Sequence, residues 1–378
     1  MKRILEIDGV RGVAILLVLV WHYFPCQLVA EPGSLASQCS RVFSLTWSGG
    51  ELFFVLSGFL IAGILIDHRG ASNYFRVFYL RRTCRIFPLY FLLLGLYCLI
   101  AVDGGAGVPA FQWLFQEPLP LWSYAAFTQN IFMGVQENLG ANWLAPTWSL
   151  AVEEQFYLFL PLLIFFLPGR MCVVVLLAAV VAAPFLRWWF PGITALVNMP
   201  FRSDALLSGA CLAFLVRWHP FISTAVRHRR WLVGIFFTFL AGAAVLTVRP
   251  LPLGGPLNHF LLAGLYSSFL LIAFLGTEPR LGRWLRTPFL VWFGQLSYGI
   301  YMFHQPVSGL LHGFIRHEAP QIRTFSDAGV TVLALGLTLL LAMLSFRFLE
   351  SPILQFGHRF KYASKVEAAA NFSTAGAE

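Results

Sequence analysis

The chain has 378 residues, 58% of them hydrophobic and only 11% charged, with a formal net charge of +9. A soluble domain carries roughly 25% charged residues. With a mean hydropathy of +0.73, this composition excludes an ordinary water-soluble fold.

A helix needs about 20 apolar residues to cross the hydrocarbon core. In chain order the candidate spans are residues 10–24, 52–66, 86–102, 148–167, 171–185, 205–218, 231–248, 260–275, 289–307 and 330–349. The fourth, sixth and ninth are shorter or interrupted by polar residues. The predicted fold class is all-α, a polytopic membrane protein with about ten transmembrane helices. The first span opens with Lys2 and Arg3, but no small-x-small cleavage site follows it. It also carries Asp8, Arg11 and His22, for which a cleaved leader has no use.

An even number of spans places both termini on one side. With the N-terminus inside, six of the 26 Lys and Arg fall outside: Arg41, Arg187, Arg202, Arg249, Arg316 and Arg323. The others gather on inner segments, as the positive-inside rule requires of an N-in, C-in protein. The same asymmetry accounts for the net charge without nucleic acid as a partner. Residues 1–360 read as one membrane domain and 361–378 as a disordered cytoplasmic tail. The segment 103–145, rich in Gly, Pro, Trp and Phe, reads as a structured outer loop lying on the membrane surface. Cys26 and Cys39 fall near the outer face, as two free thiols or a disulfide. Cys84, Cys98, Cys172 and Cys211 read as packing residues. No metal-ligand spacing appears.

Ionisable groups inside spans are expensive and point to function. Arg11 and His22 lie eleven positions apart, about three helical turns, on one face and ~16 Å apart along the axis. A neutral imidazole can take a proton from a hydroxyl; a structural histidine bonded to a neighbouring helix is the alternative. Arg82 and Arg85 share a face at the start of the third span and suit a phosphorylated ligand. On charge alone, positive-inside anchoring explains them better. Glu153 and Glu154 open the fourth span near a helix N-terminus, where the dipole favours negative charge. A buried carboxylate there is expected to orient and charge-compensate His22. Ser297, Tyr301 and His304 form a polar stripe, either a cavity lining or a seam between helices. Weaker candidates are Glu51, Ser57 in the run that follows it, and the pair Arg202 and Asp204, which have a plain alternative role in holding helix ends in register.

Taken together, this ordered set resembles the acyltransferase-3 family of membrane acyltransferases. The matching pieces are Asp8-Gly9-Val10-Arg11-Gly12 with His22, Phe53-Phe54-Val55-Leu56-Ser57-Gly58-Phe59, and Arg82-x-x-Arg85 before Pro88. Then follow Trp148-Ser149-Leu150-x-x-Glu153 with Tyr157, Arg202-x-Asp204 before Gly209, and Ser297-Tyr298-x-x-Tyr301-x-x-His304. The family often has Asp where this chain has Glu51. The chain is expected to be of the stand-alone type, without the SGNH esterase-like domain that some members carry. The resemblance implies an O-acyltransferase of a bacterial inner membrane, using cytoplasmic acetyl-coenzyme A or another acyl-coenzyme A as co-substrate, with no tightly bound cofactor. The implied acceptor is a hydroxyl of an extracytoplasmic glycan. It also implies His22 as the catalytic residue with Arg11 as its partner, Glu153 as a further catalytic-site residue, and Arg82 and Arg85 against the donor phosphates. Glu51, Ser57, Arg202, Asp204, Tyr301 and His304 are the acceptor or cavity candidates. A transporter or flippase of a lipid-linked glycan is the alternative from another class, since intramembrane His, Arg and Glu would serve it too.

Overall fold

The computed structural model describes residues 4–248 and 254–363. Lys2, Arg3, Arg249, Lys365 and the predicted tail beyond residue 363 lie outside the described residues. Among the described residues every regular element is helical, and the β-type pairing is a lone bridge between Leu28 and Ile322. The long helices are α1 (Leu5–Tyr23), α2 (Gly49–Asp67), α3 (Tyr74–Val102), α4 (Trp148–Phe166) and α5 (Gly169–Trp189). After them come α6 (Ser203–Leu215), α7 (Arg229–Val248), α8 (Gly254–Leu275), α9 (Pro288–Arg316) and α10 (Phe325–Ser345). A π-helical turn at Phe346–Glu350 then leads into α11 (Ser351–Arg359).

Among the described residues seven helices are long and apolar enough to cross a membrane, and an eighth counts if α6 and the following His219–Arg227 helix, bent by 99°, form one span. The helices α1 and α9 fall outside that set. Both are polar on one side, and both sit at the centre of the bundle. There α1 packs between α9 and α2, α9 also meets α10, and α2 lies along α6.

Glycine makes these central contacts possible. A Cβ at Gly294 of α9 would lie 1.9 Å from the Asp8 carbonyl oxygen of α1. Between α2 and α6 the fit is reciprocal. A Cβ at Gly58 would fall 1.8 Å from the Leu206 carbonyl oxygen, and one at Gly209 would fall 1.9 Å from that of Val55. Small residues let membrane helices approach backbone to backbone, which replaces the hydrophobic driving force that lipid does not supply. The same helix pair is pinned at both ends. Glu51 pairs with Arg202 at one end. At the other, Arg217 holds both carboxylate oxygens of Asp67 at 2.8 Å.

The segment 103–145 folds into short helices, including Gln112–Phe115, Leu121–Ala125 and Gln129–Gln136. It docks on α9, where Leu114 and Trp113 cover Gly309 and the Ala110 carbonyl meets Gly313. Residues 361–363 follow α11 onto the protein. Asn73 donates to the Lys361 carbonyl at 3.0 Å and accepts from the Ala363 N–H at 2.9 Å, while Tyr362 stacks on His68. Cys26 and Cys39 are free thiols, and Cys172 and Cys211 are buried as packing residues.

The α2–α6 contact generates a direct prediction. Gly209→Ala forces the two backbones apart, and overpacking of this kind costs about 1–3 kcal/mol. The expected outcome is a lower melting temperature in detergent than Gly234→Ala, at a position with open space around its Cα. Equal melting temperatures would refute the contact.

Candidate active site

A cavity of about 230 Å³ opens between α1, α2, α3, α4 and α9. Its wall includes Arg11 from α1, Ser57 from α2, Arg82 and Arg85 from α3, Glu153 and Tyr157 from α4, and Ser297, Tyr298 and Tyr301 from α9. Two further cavities adjoin it. One of about 310 Å³ is bordered by Asp8, Arg11, Arg85, Gln295, Glu350 and His358. The other, of about 100 Å³, is bordered by Arg81, Arg82, Arg85, His358 and Tyr362. Arg85 borders all three.

The pairing of the charges separates them into two kinds. Arg11 bonds Asp8 at 3.1 Å, one turn before it on α1. Arg82 and Arg85 are half-buried, yet among the described residues neither makes a salt bridge or donates a hydrogen bond to the protein. Glu153 faces the same cavity and accepts from the Tyr157 hydroxyl at 2.8 Å; Ser57 meets that hydroxyl at 2.9 Å. Glu153 is therefore not the partner of His22, contrary to expectation. Tyr157, one turn further along α4, occupies its carboxylate instead.

His22 sits at the last turn of α1. Its Nδ1 donates to the Val18 carbonyl at 3.0 Å, and its ring lies edge-on to His304 with centroids 4.7 Å apart. His304 is buried, its Nδ1 donates to the Tyr301 carbonyl at 2.6 Å, and its ring lies 5.6 Å from that of Tyr301. The Tyr301 hydroxyl donates to the Pro146 carbonyl at 2.9 Å and meets Ser149 at 2.7 Å. Of the predicted polar stripe, Ser297 and Tyr301 line the cavity, while His304 stands behind Tyr301. Arg11 also lines it; His22 does not, and its ring meets that of His304.

Glu51, Arg202 and Asp204 do not line the cavity, which corrects their place among the cavity candidates. They belong to a buried ion cluster at the starts of α2, α6 and α8 and the end of α5. Glu51 pairs with Arg202, and with His259 at 2.6 Å; Asp204 pairs with Arg187 at 2.6 Å. Arg187 also holds the Pro256 carbonyl at 3.0 Å. The Arg202 guanidinium lies 5.7 Å from the Phe54 ring centroid and 5.5 Å from that of Trp148, both cavity-wall residues. Nothing in the order of the chain singles out Arg187 or His259, because their partners are distant in sequence. His358 is likewise not singled out by the sequence; Tyr298, part of the matching stretch, and Glu350, at the end of the last span, come to the cavities with it. Among the described residues no group of His, Cys, Asp and Glu could hold a metal ion.

Residues 4–347 match the family described as Acyltransferase domain, Acyl_transf_3. The chain is similar to the peptidoglycan O-acetyltransferase OatA of Listeria monocytogenes, with 26% identity covering 94% of this chain and 56% of that protein. It is also similar to the O-acetyltransferase OatA of Staphylococcus aureus, with 24% identity covering 93% and 57%. The chain thus spans just over half the length of the curated relatives it matches. No solved structure matches it. The chain belongs to the acyltransferase-3 family.

The ion cluster can be tested apart from any activity. Arg202→Met leaves Glu51 buried without its guanidinium, and breaking a buried pair in this way costs about 3–5 kcal/mol. Adding Glu51→Gln removes the stranded charge and should restore much of the melting temperature. A double variant as unstable as Arg202→Met would show that the two residues are not coupled.

Proposed function

We propose that this member of the acyltransferase-3 family moves an acetyl group from acetyl-coenzyme A, docked from the cytoplasm, to a hydroxyl of an extracytoplasmic glycan. The observation that carries the proposal is that, among the described residues, neither Arg82 nor Arg85 on the cavity wall has a salt-bridge or hydrogen-bond partner. Two half-buried guanidiniums in that state call for an anion, and their planar donors match phosphate oxygens. The cavity beyond them, about 230 Å³, is below the roughly 300–1,000 Å³ of pockets that enclose a whole ligand. It suits a narrow thioester arm, with the phosphorylated end of the donor left in the adjoining basic cavity beside Arg81, Arg82 and Arg85. The curated relatives are named O-acetyltransferases, one of peptidoglycan. That supports a cell-envelope glycan as the acceptor class and the bacterial cytoplasmic membrane as the location.

The direction of transfer follows from a topology of ten spans with both termini inside, which is part of the proposal. The central helices α1 and α9 count as spans, because their polar residues face protein and need no apolar surface towards lipid. Arg82 and Arg85 then lie on the cytoplasmic side, and His22 at the opposite end of α1. An acceptor from outside reaches His22 first. His22 acts as the base. With Nδ1 donating to Val18, its Nε2 is the nitrogen left to accept the hydroxyl proton. The acceptor oxygen bonds to the thioester carbonyl carbon, the C–S bond breaks with its electron pair on sulfur, and the thiolate takes the proton back.

In proteoliposomes supplied with labelled acetyl-coenzyme A, His22→Gln should lower kcat by about 10²–10⁴-fold, the usual contribution of a positioned base. Arg82→Ala with Arg85→Ala should instead raise KM for the donor. A transporter would leave acceptor hydroxyls unmodified in every sample, and full activity in His22→Gln would remove that residue from the chemistry.

A further inference from the structure

The buried side of the His22 pair is unexplained by its role as a single base. His304 is 1% exposed, and its Nε2 is buried with no hydrogen-bond partner. Its Nδ1 faces the Tyr301 carbonyl. A carbonyl only accepts, so the ring proton is on Nδ1 and Nε2 carries a bare lone pair. A histidine kept for packing has both nitrogens satisfied, since a buried unpaired acceptor is costly. The neighbouring ring is His22, at 4.7 Å between centroids and 64° between planes. At that separation ring nitrogens can meet after a small rotation. His22 is held in the same tautomer by Val18. The structure thus sets two imidazoles side by side, each with Nδ1 donating to a backbone carbonyl and, among the described residues, no hydrogen-bond partner on Nε2.

We propose that His304 is the positioning partner of His22, and that the two imidazoles hold between them the single proton removed from the acceptor hydroxyl. This rests on the reading of His22 as the base. When the acceptor O–H bond breaks, its proton goes to His22 Nε2, and the Nε2 lone pair of His304 accepts a hydrogen bond from the charged ring or takes the proton over. The acceptor oxygen bonds to the carbonyl carbon, the C–S bond breaks with its electron pair on sulfur, and the thiolate receives the proton from the pair. Both rings then return to neutrality. Two imidazoles this close do not both carry charge, so they titrate as one unit. The other titratable groups against them are Tyr301, whose ring is 5.6 Å away, and Tyr23, whose hydroxyl donates to the His304 carbonyl at 3.0 Å. Among the described residues no carboxylate or guanidinium pairs with either ring.

The fixed arrangement around the pair supports the assignment. The chain after α1 is anchored by Gln27, which donates to the His22 carbonyl at 2.9 Å and to Ser308 at 3.1 Å. Gln27 also accepts from Thr331 at 2.8 Å, and Thr331 meets His312 at 3.0 Å. Tyr23 joins α1 to α9 and α10 through the His304 carbonyl and Thr338. These bonds act on the backbone flanking both rings, so each is held in place while its Nε2 stays available.

The test compares wild type, His304→Gln, His304→Phe and His22→Gln in proteoliposomes with acetyl-coenzyme A, measuring kcat against pH and the melting temperature. Gln places an acceptor oxygen near the Nε2 position, whereas Phe fills the space without one. His304→Gln should keep kcat within tenfold of wild type. His304→Phe should lose about 10²-fold in kcat at unchanged donor KM. Its acid limb should move to lower pH, because His22 loses the acceptor that stabilises its charged form. If His304→Phe does not fold, His304→Leu, which removes bulk, carries the same expectations. An apolar variant with wild-type kcat and pH profile, or one indistinguishable from His304→Gln, overturns the pair. If His22→Gln is inactive while the apolar variant is active, the pair alone fails. If His22→Gln is active, the base itself fails and the pair with it.

Discussion

A guanidinium cannot rest against lipid hydrocarbon without a large free-energy penalty, and the arrangement of the bundle follows from that constraint. Arg11, Arg82 and Arg85 come from two helices, and the polar side chains of α9 complete the space around them. The protein has to enclose that space, so α1 and α9 lie inside the bundle. Helices with little internal contact, such as α7, take up the lipid boundary; only 6% of its apolar window is buried within the protein. The central helices approach closely because glycine stands where their backbones touch, at Gly294 against Asp8 and at Gly58 against Leu206.

Charge in this protein is handled in two ways, and the contrast gives each set of residues its meaning. At the starts of α2, α6 and α8, the acids and bases are buried and mutually paired: Glu51 with Arg202 and His259, Asp204 with Arg187. Such a network stabilises only while it is complete, and it suits a fixed joint. Arg82 and Arg85 are the opposite case, basic groups facing a cavity with no salt-bridge partner among the described residues. The joint and the cavity are not independent. Arg202 lies over Phe54 and Trp148, so the paired cluster braces the aromatic wall behind which the cavity opens.

Much of this was legible in the chain itself. The apolar runs predicted the helices, and the polar residues breaking them marked α1, α3, α4 and α9 as the helices that line the cavity. The helices α1 and α9 fall short of the apolar length of the seven others, and both pack against several helices of the bundle. The partners of the charges were not legible. Glu153 was expected beside His22, but Tyr157, four residues along the same helix, is in reach of its carboxylate. Glu51 and Arg202 are acceptor or cavity candidates by sequence, yet they pair with each other and do not line the cavity. Spacing along one helix predicts a shared face, as with Ser297 and Tyr301. It says nothing about which distant helix meets that face, and for that reason Arg187 and His259 escaped notice.

The central proposal is that the basic mouth of the cavity receives the phosphorylated end of the donor and that its acyl arm points along α1 towards His22. A structure of the protein with bound acetyl-coenzyme A, determined by electron cryo-microscopy in lipid nanodiscs, tests this most directly. The expected result is phosphate density within hydrogen-bond distance of Arg82 and Arg85, with the thioester beyond them in the cavity beside Tyr301. Density for the donor on the opposite face, or a bound donor that leaves both guanidiniums without a partner, would contradict it.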